Sequence, residues 1–146
     1  MKLSTRGRYG VRLMLELALH YGGGPTSLKD LAKQQAISEK YLWNLIHPLK
    51  SKGLIGSVRG AQGGYVLAKS PKKISLIDIV EILEGPLCIV DCVDNASICE
   101  RSPMCVTRDI WGEVSKNVMK ILRSITLEEL VERHRKKGKH RKRTIH

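Results

Sequence analysis

The chain contains no Phe and only two Trp among its 146 residues, so its core must rely on aliphatic side chains. It also lacks any apolar run near the roughly 20 residues that a membrane-spanning helix needs. The first ten residues, MKLSTRGRYG, lack the apolar segment of a secretory signal peptide. These absences predict a cytoplasmic protein with no membrane partner. In that compartment, clustered cysteines bind metal or sense redox state more often than they form stable disulfides.

Acidic residues are scarce at both ends of the chain. Residues 1–70 hold 11 Lys/Arg against three Asp/Glu, and residues 133–146 hold eight Lys/Arg with no acidic residue. The stretch between them, residues 71–132, is mildly acidic, with seven basic and 11 acidic residues. A basic half beside an acidic one favours a polyanion-binding module joined to a second unit. For residues 133–146 we expect a basic, disordered tail.

Capping signals and apolar spacing predict mostly helices in residues 1–85. Ser27, Ser38 and Ser75 each precede a segment with helical periodicity, and two of these serines stand three residues before an aspartate, as in a capping box. Two short strands are predicted on either side of the glycine-rich turn GAQGG. The predicted elements are helices over 5–21, 28–36, 39–52 and 76–85, and strands over 54–59 and 65–69.

Within residues 1–70 the order of elements is that of a winged helix-turn-helix. The third helix would place its N-terminal end in the major groove of double-stranded DNA, and the ribbon turn would be the wing. Trp43 has two equally weighted interpretations, contact with DNA or packing in the core. The candidate DNA-binding residues are Ser38, Lys40, Tyr41, Trp43 and Asn44 on the helix and Arg59, Gly60 and Gln62 on the wing.

The second half of the chain divides into a connecting helix (71–87), a cysteine loop (88–105), and a helical region (106–132). Trp111, Val114, Val118, Ile121 and Ile125 are separated by three, four, three and four residues, which is the spacing of an a/d seam. We expect this seam to lie at a homodimer interface. The predicted fold class is therefore mainly α with a small β-wing, a winged helix-turn-helix followed by a long dimerisation helix.

All four cysteines lie in the cysteine loop, at Cys88, Cys92, Cys99 and Cys105. Thiolates are soft ligands that suit iron–sulfur clusters, but irregular cysteine spacing taken alone is a weak signal. The paired C-x₂-C ligands that are typical of zinc sites are absent from the sequence.

Four segments resemble the Rrf2 family of bacterial transcription regulators, which includes the IscR, NsrR and CymR branches. They are MKLSTRGRYGVRLMLELA, GPTSLKDLA, ISEKYLWNLIHPLKSKGLIGSVRGAQGGY and ITLEELV, and the resemblance covers about residues 1–132. It implies a dimeric winged helix-turn-helix regulator, most often a repressor, that binds a partly palindromic operator. It also implies that Arg59 enters the minor groove.

The resemblance to the cluster-binding members implies that Cys92, Cys99 and Cys105 hold a [2Fe-2S] or [4Fe-4S] cluster. Its fourth ligand is open. The IscR-like members have a histidine where this chain has Arg108, and the NsrR-like members have an aspartate where it has Arg8. The remaining candidates are Cys88, Asp91, Glu100 or a residue of the partner subunit. The simpler interpretation of Cys88 is that it packs as a small apolar residue within GPLCIV.

These observations support three hypotheses about function. The first is a regulator that senses iron–sulfur, redox or nitric-oxide status through a cluster. The second is a CymR-like repressor of cysteine metabolism, controlled by a partner protein without a cluster. The third, from another class, is an iron–sulfur electron carrier, which would not need the basic winged-helix half. An enzyme is not expected, because no nucleophile and base are paired in the sequence.

Overall fold

The computed structural model describes residues 2–144. The first half contains three helices and a two-stranded antiparallel sheet, which together form the expected winged helix-turn-helix. The fold class is thus confirmed. The elements are α1 (Thr5–Leu19), α2 (Leu28–Gln35), α3 (Glu39–Ser51), β1 (Ile55–Val58) and β2 (Gly64–Leu67).

Side-chain caps start the first three helices. The hydroxyls of Ser4, Ser27 and Ser38 each accept a hydrogen bond, all 3.1 Å long, from a backbone N–H three residues further along the chain. These bonds satisfy amide groups that have no partner inside the helix. The α2–α3 turn is tight because Ala36 adopts a left-handed conformation with φ of 54°, which ends α2 and starts the chain toward α3.

The core is aliphatic, as the composition predicts. It lies between α1, α2, α3 and the base of the sheet, and it continues to the helices that begin at Leu76 and Leu127. Leu42, Leu45, Ile46 and Leu49 are buried on the inner face of α3, at the spacing of one side of a helix. Pro48 lies within α3, which nevertheless continues to Ser51.

The second half begins with a 3₁₀ turn and α4 (Leu76–Glu84), which packs against α1. At Gly10 a side chain would bring a Cβ atom within 1.9 Å of Leu83 Cδ1, so the glycine permits close approach of the two helices. The backbone N–H of Ser75 donates to the Asp78 carboxylate at 3.0 Å, which confirms the predicted capping box. The remaining elements are α4 (Leu76–Glu84), α5 (Asp91–Asp94), α6 (Val106–Ser124) and α7 (Leu127–Thr144), with 3₁₀ turns at Pro71–Lys73, Ala96–Ile98 and Ser102–Met104.

A short antiparallel bridge joins the two ends of the second half. Ser75 pairs with Thr126, and the N–H groups of Leu76 and Leu127 donate to the carbonyls of Ile125 and Ile74 at 2.9 Å each. This bridge sets the start of α7 against the chain that enters α4. As a result Leu127 is fully buried, and α7 packs on α1 and on the 3₁₀ turn at Pro71–Lys73.

The structure differs from the expectation of a disordered tail over residues 133–146. Helix α7 continues through Thr144, while residues 145 and 146 lie outside the described residues. Lys and Arg favour helices nearly as well as Ala, and Arg133 pairs with Glu129 one turn earlier. Since the first turn of α7 is already held by the core, the nucleation cost is met there and the helix can extend.

Within residues 2–144, none of the helices combines the length and the hydropathy required to cross a bilayer.

Candidate DNA-binding surface and cysteine loop

The N-terminal end of α3 presents most of its predicted DNA-binding residues to solvent. Ser38 is the N-cap, and Lys40, Trp43 and Asn44 are exposed on the outer face. The unpaired N–H groups and the dipole of a helix N-terminus favour a phosphate, and the exposed side chains can reach base edges. The structure therefore gathers these four residues on one surface.

Trp43 lies outside the core, which excludes the core-packing interpretation, while its contact with DNA stays a prediction. Its side chain is 49% exposed and stacks on His47, with ring centroids 5.1 Å apart and an interplanar angle of 21°. A half-exposed indole on the outer face of a recognition helix can contact a thymine methyl or a sugar. Stacking on His47 restricts the rotamers of Trp43 in the free protein.

Tyr41 does not share this outer face. It is half-buried and packs edge-to-face on Tyr9 of α1, with ring centroids 6.1 Å apart, while the Arg12 guanidinium lies 5.0 Å from the Tyr9 ring centre. The aromatic pair stabilises the contact between α1 and α3, and the cation–π contact of Arg12 with Tyr9 lies within α1. The sequence placed Tyr41 with the DNA-binding residues because it lies in the first turn of α3, but its ring faces the protein.

The wing is a hairpin in which Val58 pairs with Gly64, leaving Arg59, Gly60 and Gln62 exposed at the turn. Gly60 has φ of 116°, a conformation that other residues rarely adopt. The base of the wing is tied to the helix-turn-helix by Thr26, whose N–H donates to the Tyr65 carbonyl at 3.0 Å and whose carbonyl accepts from the Tyr65 N–H at 2.8 Å. The tip is therefore carried by a hairpin with a fixed root.

The cysteine loop is built from short turns, and its four thiols are free. Cys92 lies on α5, Cys99 follows the second 3₁₀ turn and is exposed, and Cys105 is the N-cap residue of α6. The Cys88 thiol donates to the Val90 carbonyl at 2.6 Å. Each cysteine thus belongs to a different turn.

The environments of Cys88 and Cys105 shift their pKa values in opposite directions. Partial burial, assisted by Asp94, raises the pKa of the Cys88 thiol. A hydrogen bond with the Thr107 hydroxyl at 3.2 Å is the main cause of a lowered pKa at Cys105, and the Arg108 backbone N–H adds to it. The thiolate is the form that binds metal, and the surroundings of Cys105 favour that form whereas those of Cys88 disfavour it.

Arg108 ties the cysteine loop to α6. Its Nε donates to the Cys92 carbonyl at 2.7 Å and its Nη2 donates to the Val93 carbonyl at 3.4 Å. A guanidinium does not ligate iron, so the position at which the sequence resemblance implied a fourth ligand has a mechanical role here. The sequence did not predict this contact, since Arg108 lies 16 residues from Cys92.

Cys92, Cys99 and Cys105 have the donor chemistry of a cluster site, but the structure does not bring them together. Among residues 2–144, no three Cys, His, Asp or Glu side chains are close enough to hold one metal ion. The loop has exposed turns and few contacts with the core, which is where a chain can rearrange at low cost. Ligation by these three cysteines, and the role of the other candidates Asp91 and Glu100, stay predictions.

Helix α6 carries exposed apolar residues along much of its length. Trp111, Val114 and Ile121 of the predicted seam are 42%, 38% and 59% exposed, while Val118 and Ile125 are half-buried. Two further exposed apolar residues, Val106 and Ile110, precede them on the same helix. Val106, Ile110 and Val114 are each four residues apart, which is a helical spacing. The predicted seam began at Trp111 and therefore did not include Val106 and Ile110.

A known protein family matches this chain across most of the architecture described above. The profile of the Rrf2 family, described as an iron-dependent transcriptional regulator, matches residues 3–133. This chain belongs to the Rrf2 family. The match spans the winged helix-turn-helix, the cysteine loop, α6 and the start of α7, and it confirms the resemblance found in the sequence.

Several Rrf2-family relatives are similar over most of their length. The chain is 43% identical over 130 residues to the transcriptional regulator CymR of Bacillus subtilis (strain 168), covering 89% of each protein. It is 44% identical over 131 residues to the protein rrf2 of Nitratidesulfovibrio vulgaris, covering 90% of this chain and 87% of that protein.

Two solved structures have the same fold. The B. subtilis CymR structure, described as the global cysteine regulator, superposes with a TM-score of 0.78 at 42% identity, covering 90% of this chain and 97% of that one. T. potens IscR superposes with a TM-score of 0.76 at 42% identity, covering 92% and 88%. The protein is therefore a transcription regulator of a DNA-binding family, similar to both branches.

Proposed function

We propose that this Rrf2-family protein is a homodimeric repressor of a partly palindromic DNA operator, whose affinity for DNA depends on an iron–sulfur cluster in the cysteine loop. Cys92, Cys99 and Cys105 would supply three thiolates, and the cluster would supply a redox-sensitive centre whose loss removes binding energy from the loop. The observation that supports this best is the position of these three free thiols, in one exposed loop that ends at the first residue before α6.

The contacts of Arg108 offer a route by which the state of the loop can affect DNA binding. Arg108 belongs to α6 and holds the backbone of Cys92 and Val93, so movement of the loop acts on the end of the proposed dimerisation helix. The relative position of the two DNA-binding halves depends on that helix. A coupling of this kind typically amounts to about 1–3 kcal/mol, or roughly 5–150-fold in affinity.

The homodimer is proposed because the exposed apolar residues of α6 would be buried in an interface. Five exposed apolar side chains on one helix, headed by Val106 at 73% exposure, exceed the isolated apolar residues that monomers tolerate. A second copy of α6 would supply a matching surface, since a two-fold interface uses the same patch on both subunits. Two linked wings then read two half-sites of a palindrome.

The proposal is tested by purifying the full chain under anaerobic conditions and measuring absorption spectra, iron content and acid-labile sulfide. We expect a brown protein with iron and sulfide in comparable amounts. Binding to a palindromic promoter fragment, measured by gel shift before and after removal of iron by a chelator, should change by the factor given above. A regulator should also bind more weakly as salt rises, because DNA binding releases counterions.

A second candidate is a CymR-like repressor controlled by a partner protein without a cluster. Two observations favour it: the similarity to B. subtilis CymR, and the occupation of an implied ligand position by Arg108, which holds the loop through its own hydrogen bonds. This candidate predicts a colourless protein that binds DNA with an affinity insensitive to chelators. Colour and iron content therefore separate the two.

A further inference from the structure

The second half of α7 is the most strongly charged surface of the described chain that the proposed function does not use. After Glu132 the sequence reads RHRKKGK to residue 139, and no acidic residue follows to the end of the chain. The side chains of this stretch are exposed: Arg133, Arg135, Lys136, Lys137 and Lys139 all face solvent. The segment lies beyond the family match, which ends at residue 133.

This charge is carried by a helix and not by a flexible tail. The first turns of α7 are anchored by Leu127 and Val131, which are 0% and 6% exposed. At 1.5 Å per residue, the stretch from Arg133 to Thr144 is about 18 Å long, which matches roughly five base pairs of duplex DNA. An anchored helix presents its charges at fixed positions, so less conformational entropy is lost when they meet a partner.

The basic half of α7 (residues 133–144) begins close to the root of the wing. Arg135 lines a cavity of about 290 Å³ together with Tyr21 and Lys72. Tyr21 also lines a second cavity with Tyr65 and Val66 of β2, the strand that leads back from the wing tip. Lys72 forms an ion pair with Glu128 at 3.8 Å, so it is partly neutralised. The last acidic residue of the sequence is Glu132, so the cations from Lys137 onward lie more than one helical turn beyond it.

The composition of the segment narrows the class of partner. A helix that lies on a membrane needs an apolar face as well as a basic one. Residues 133–139 contain no large apolar side chain, so they offer no such face. A helix that is basic on all sides fits the phosphates of a nucleic acid, and a duplex is already held beside it by the wing in the proposed function.

We propose that the basic half of α7 is a second phosphate-binding surface that contacts duplex DNA flanking the operator. The inference rests on the proposed function for its location on DNA, but it needs neither the cluster nor sequence recognition. Contacts to phosphate add affinity and orient the protein without reading bases. Helix α7 would therefore lengthen the footprint of each subunit beyond the bases read by α3 and Arg59.

The test compares the wild type with a triple variant, Lys136→Gln, Lys137→Gln and Lys139→Gln, in the full chain. Gln has nearly the same helix propensity as Lys, so α7 is retained, and circular dichroism verifies this. The matched control removes three cations from exposed positions of α6 outside the predicted seam: Lys116→Gln, Lys120→Gln and Arg123→Gln. Affinity is measured as a function of salt on a minimal operator duplex and on the same operator with long flanks.

On the long duplex we expect the slope of log affinity against log salt to become shallower by up to about 5 in the α7 variant, since the proposed dimer loses two sets of three lysines and each phosphate contact contributes about 0.9. The control should keep the wild-type slope, and on the minimal duplex all three proteins should behave alike. Equal slopes for the wild type and the α7 variant on the long duplex would overturn the proposal. So would an equal loss in the α6 control, because that outcome indicates a general effect of net charge.

Other results assign the surface elsewhere or separate the two proposals. If the α7 variant loses affinity for single-stranded RNA but not for duplex DNA, the duplex proposal is wrong. If the wild type does not distinguish operator from random duplex, the proposed operator function fails, while the α7 surface is still tested by the slopes on random duplex. If the α7 variant and the α6 control both bind the operator with the same affinity and salt slope as the wild type, only the α7 proposal is overturned.

Discussion

Arg59 is the residue at which the wing is expected to meet the minor groove. It is exposed at a hairpin turn whose root is fixed by the Thr26–Tyr65 bridge, and it has no part in the core. We expect Arg59→Ala to weaken operator binding by about 1–3 kcal/mol and to leave dimerisation unchanged. Gel-shift titration at fixed salt measures the loss, and Lys116→Ala on α6 is the control for removal of one exposed cation. Affinity equal to that of the control would contradict the wing assignment.

The thiols of the cysteine loop allow a single-residue test of the ligand set. Replacing Cys92, Cys99 or Cys105 with Ala should give a nearly colourless protein, because each variant removes one thiolate from the proposed cluster. Each variant should stay folded and dimeric, since the loop lies outside the core of the winged helix-turn-helix. Iron content, absorption spectra and sedimentation measure these outcomes.

Cys88→Ala is the control within the same loop. The Cys88 thiol is half-buried and bonded to the Val90 carbonyl, and its raised pKa disfavours the thiolate. We expect this variant to keep its colour and to lose on the order of 1 kcal/mol of stability. Full iron content in any of the other three variants would overturn the three-cysteine assignment, and bleaching of Cys88→Ala would make it the fourth ligand.

Among the elements, the α1–α4 contact depends on a missing side chain. A Cβ at Gly10 would lie 1.9 Å from Leu83 Cδ1, whereas a Cβ at Gly138 in α7 would meet nothing within 4 Å. Both glycines are helical, so Ala improves helix propensity equally at the two positions. We expect Gly10→Ala to destabilise the protein by about 1–3 kcal/mol through overpacking, and Gly138→Ala to stabilise it by about 0.5–1 kcal/mol.

Urea denaturation of the two glycine variants provides the measurement. Opposite signs of the change in free energy of unfolding are expected. If Gly10→Ala were as stable as the wild type, Leu83 would be free to move away and the contact would not require glycine. If Gly138→Ala brought no gain, the second half of α7 would contribute little helix to the stability of the fold.

At the scale of the whole molecule, the proposed dimer depends on the apolar residues of α6. Ile121 is 59% exposed in the single chain and belongs to the predicted seam, while Lys120 is its exposed polar neighbour. Ile121→Glu should weaken dimerisation by at least about 100-fold, because a buried unpaired carboxylate costs several kcal/mol. Lys120→Glu should leave the dimer intact.

Sedimentation velocity over a range of concentrations distinguishes the two α6 variants. The monomeric variant should also lose most of its operator affinity, since each half-site is then bound without the help of the other. A fully dimeric Ile121→Glu protein would show that the apolar face of α6 lies outside the interface, and the cover for that face would have to be sought in another partner.

Local signals in the sequence were sufficient to predict the order and type of most elements. Serine caps, apolar periodicity and the glycine-rich turn are local signals, and each acts within a few residues of the element that it defines. They were enough to predict the winged helix-turn-helix and the positions of Arg59, Gly60 and Gln62 at the wing tip. The family motifs lie in the same segments, which is why the resemblance and the fold agree.

The orientation of several side chains, and the groups that they contact, depend instead on long-range packing. Tyr41 turns inward because Tyr9 of α1 offers it an aromatic partner, and this leaves Trp43 on the outer surface. Arg108 ties down a loop that lies 16 residues away in sequence, and α7 stays helical because its first turn is buried against α1. These contacts join residues that are distant along the chain, so their energies depend on the packed fold and no local pattern can encode them.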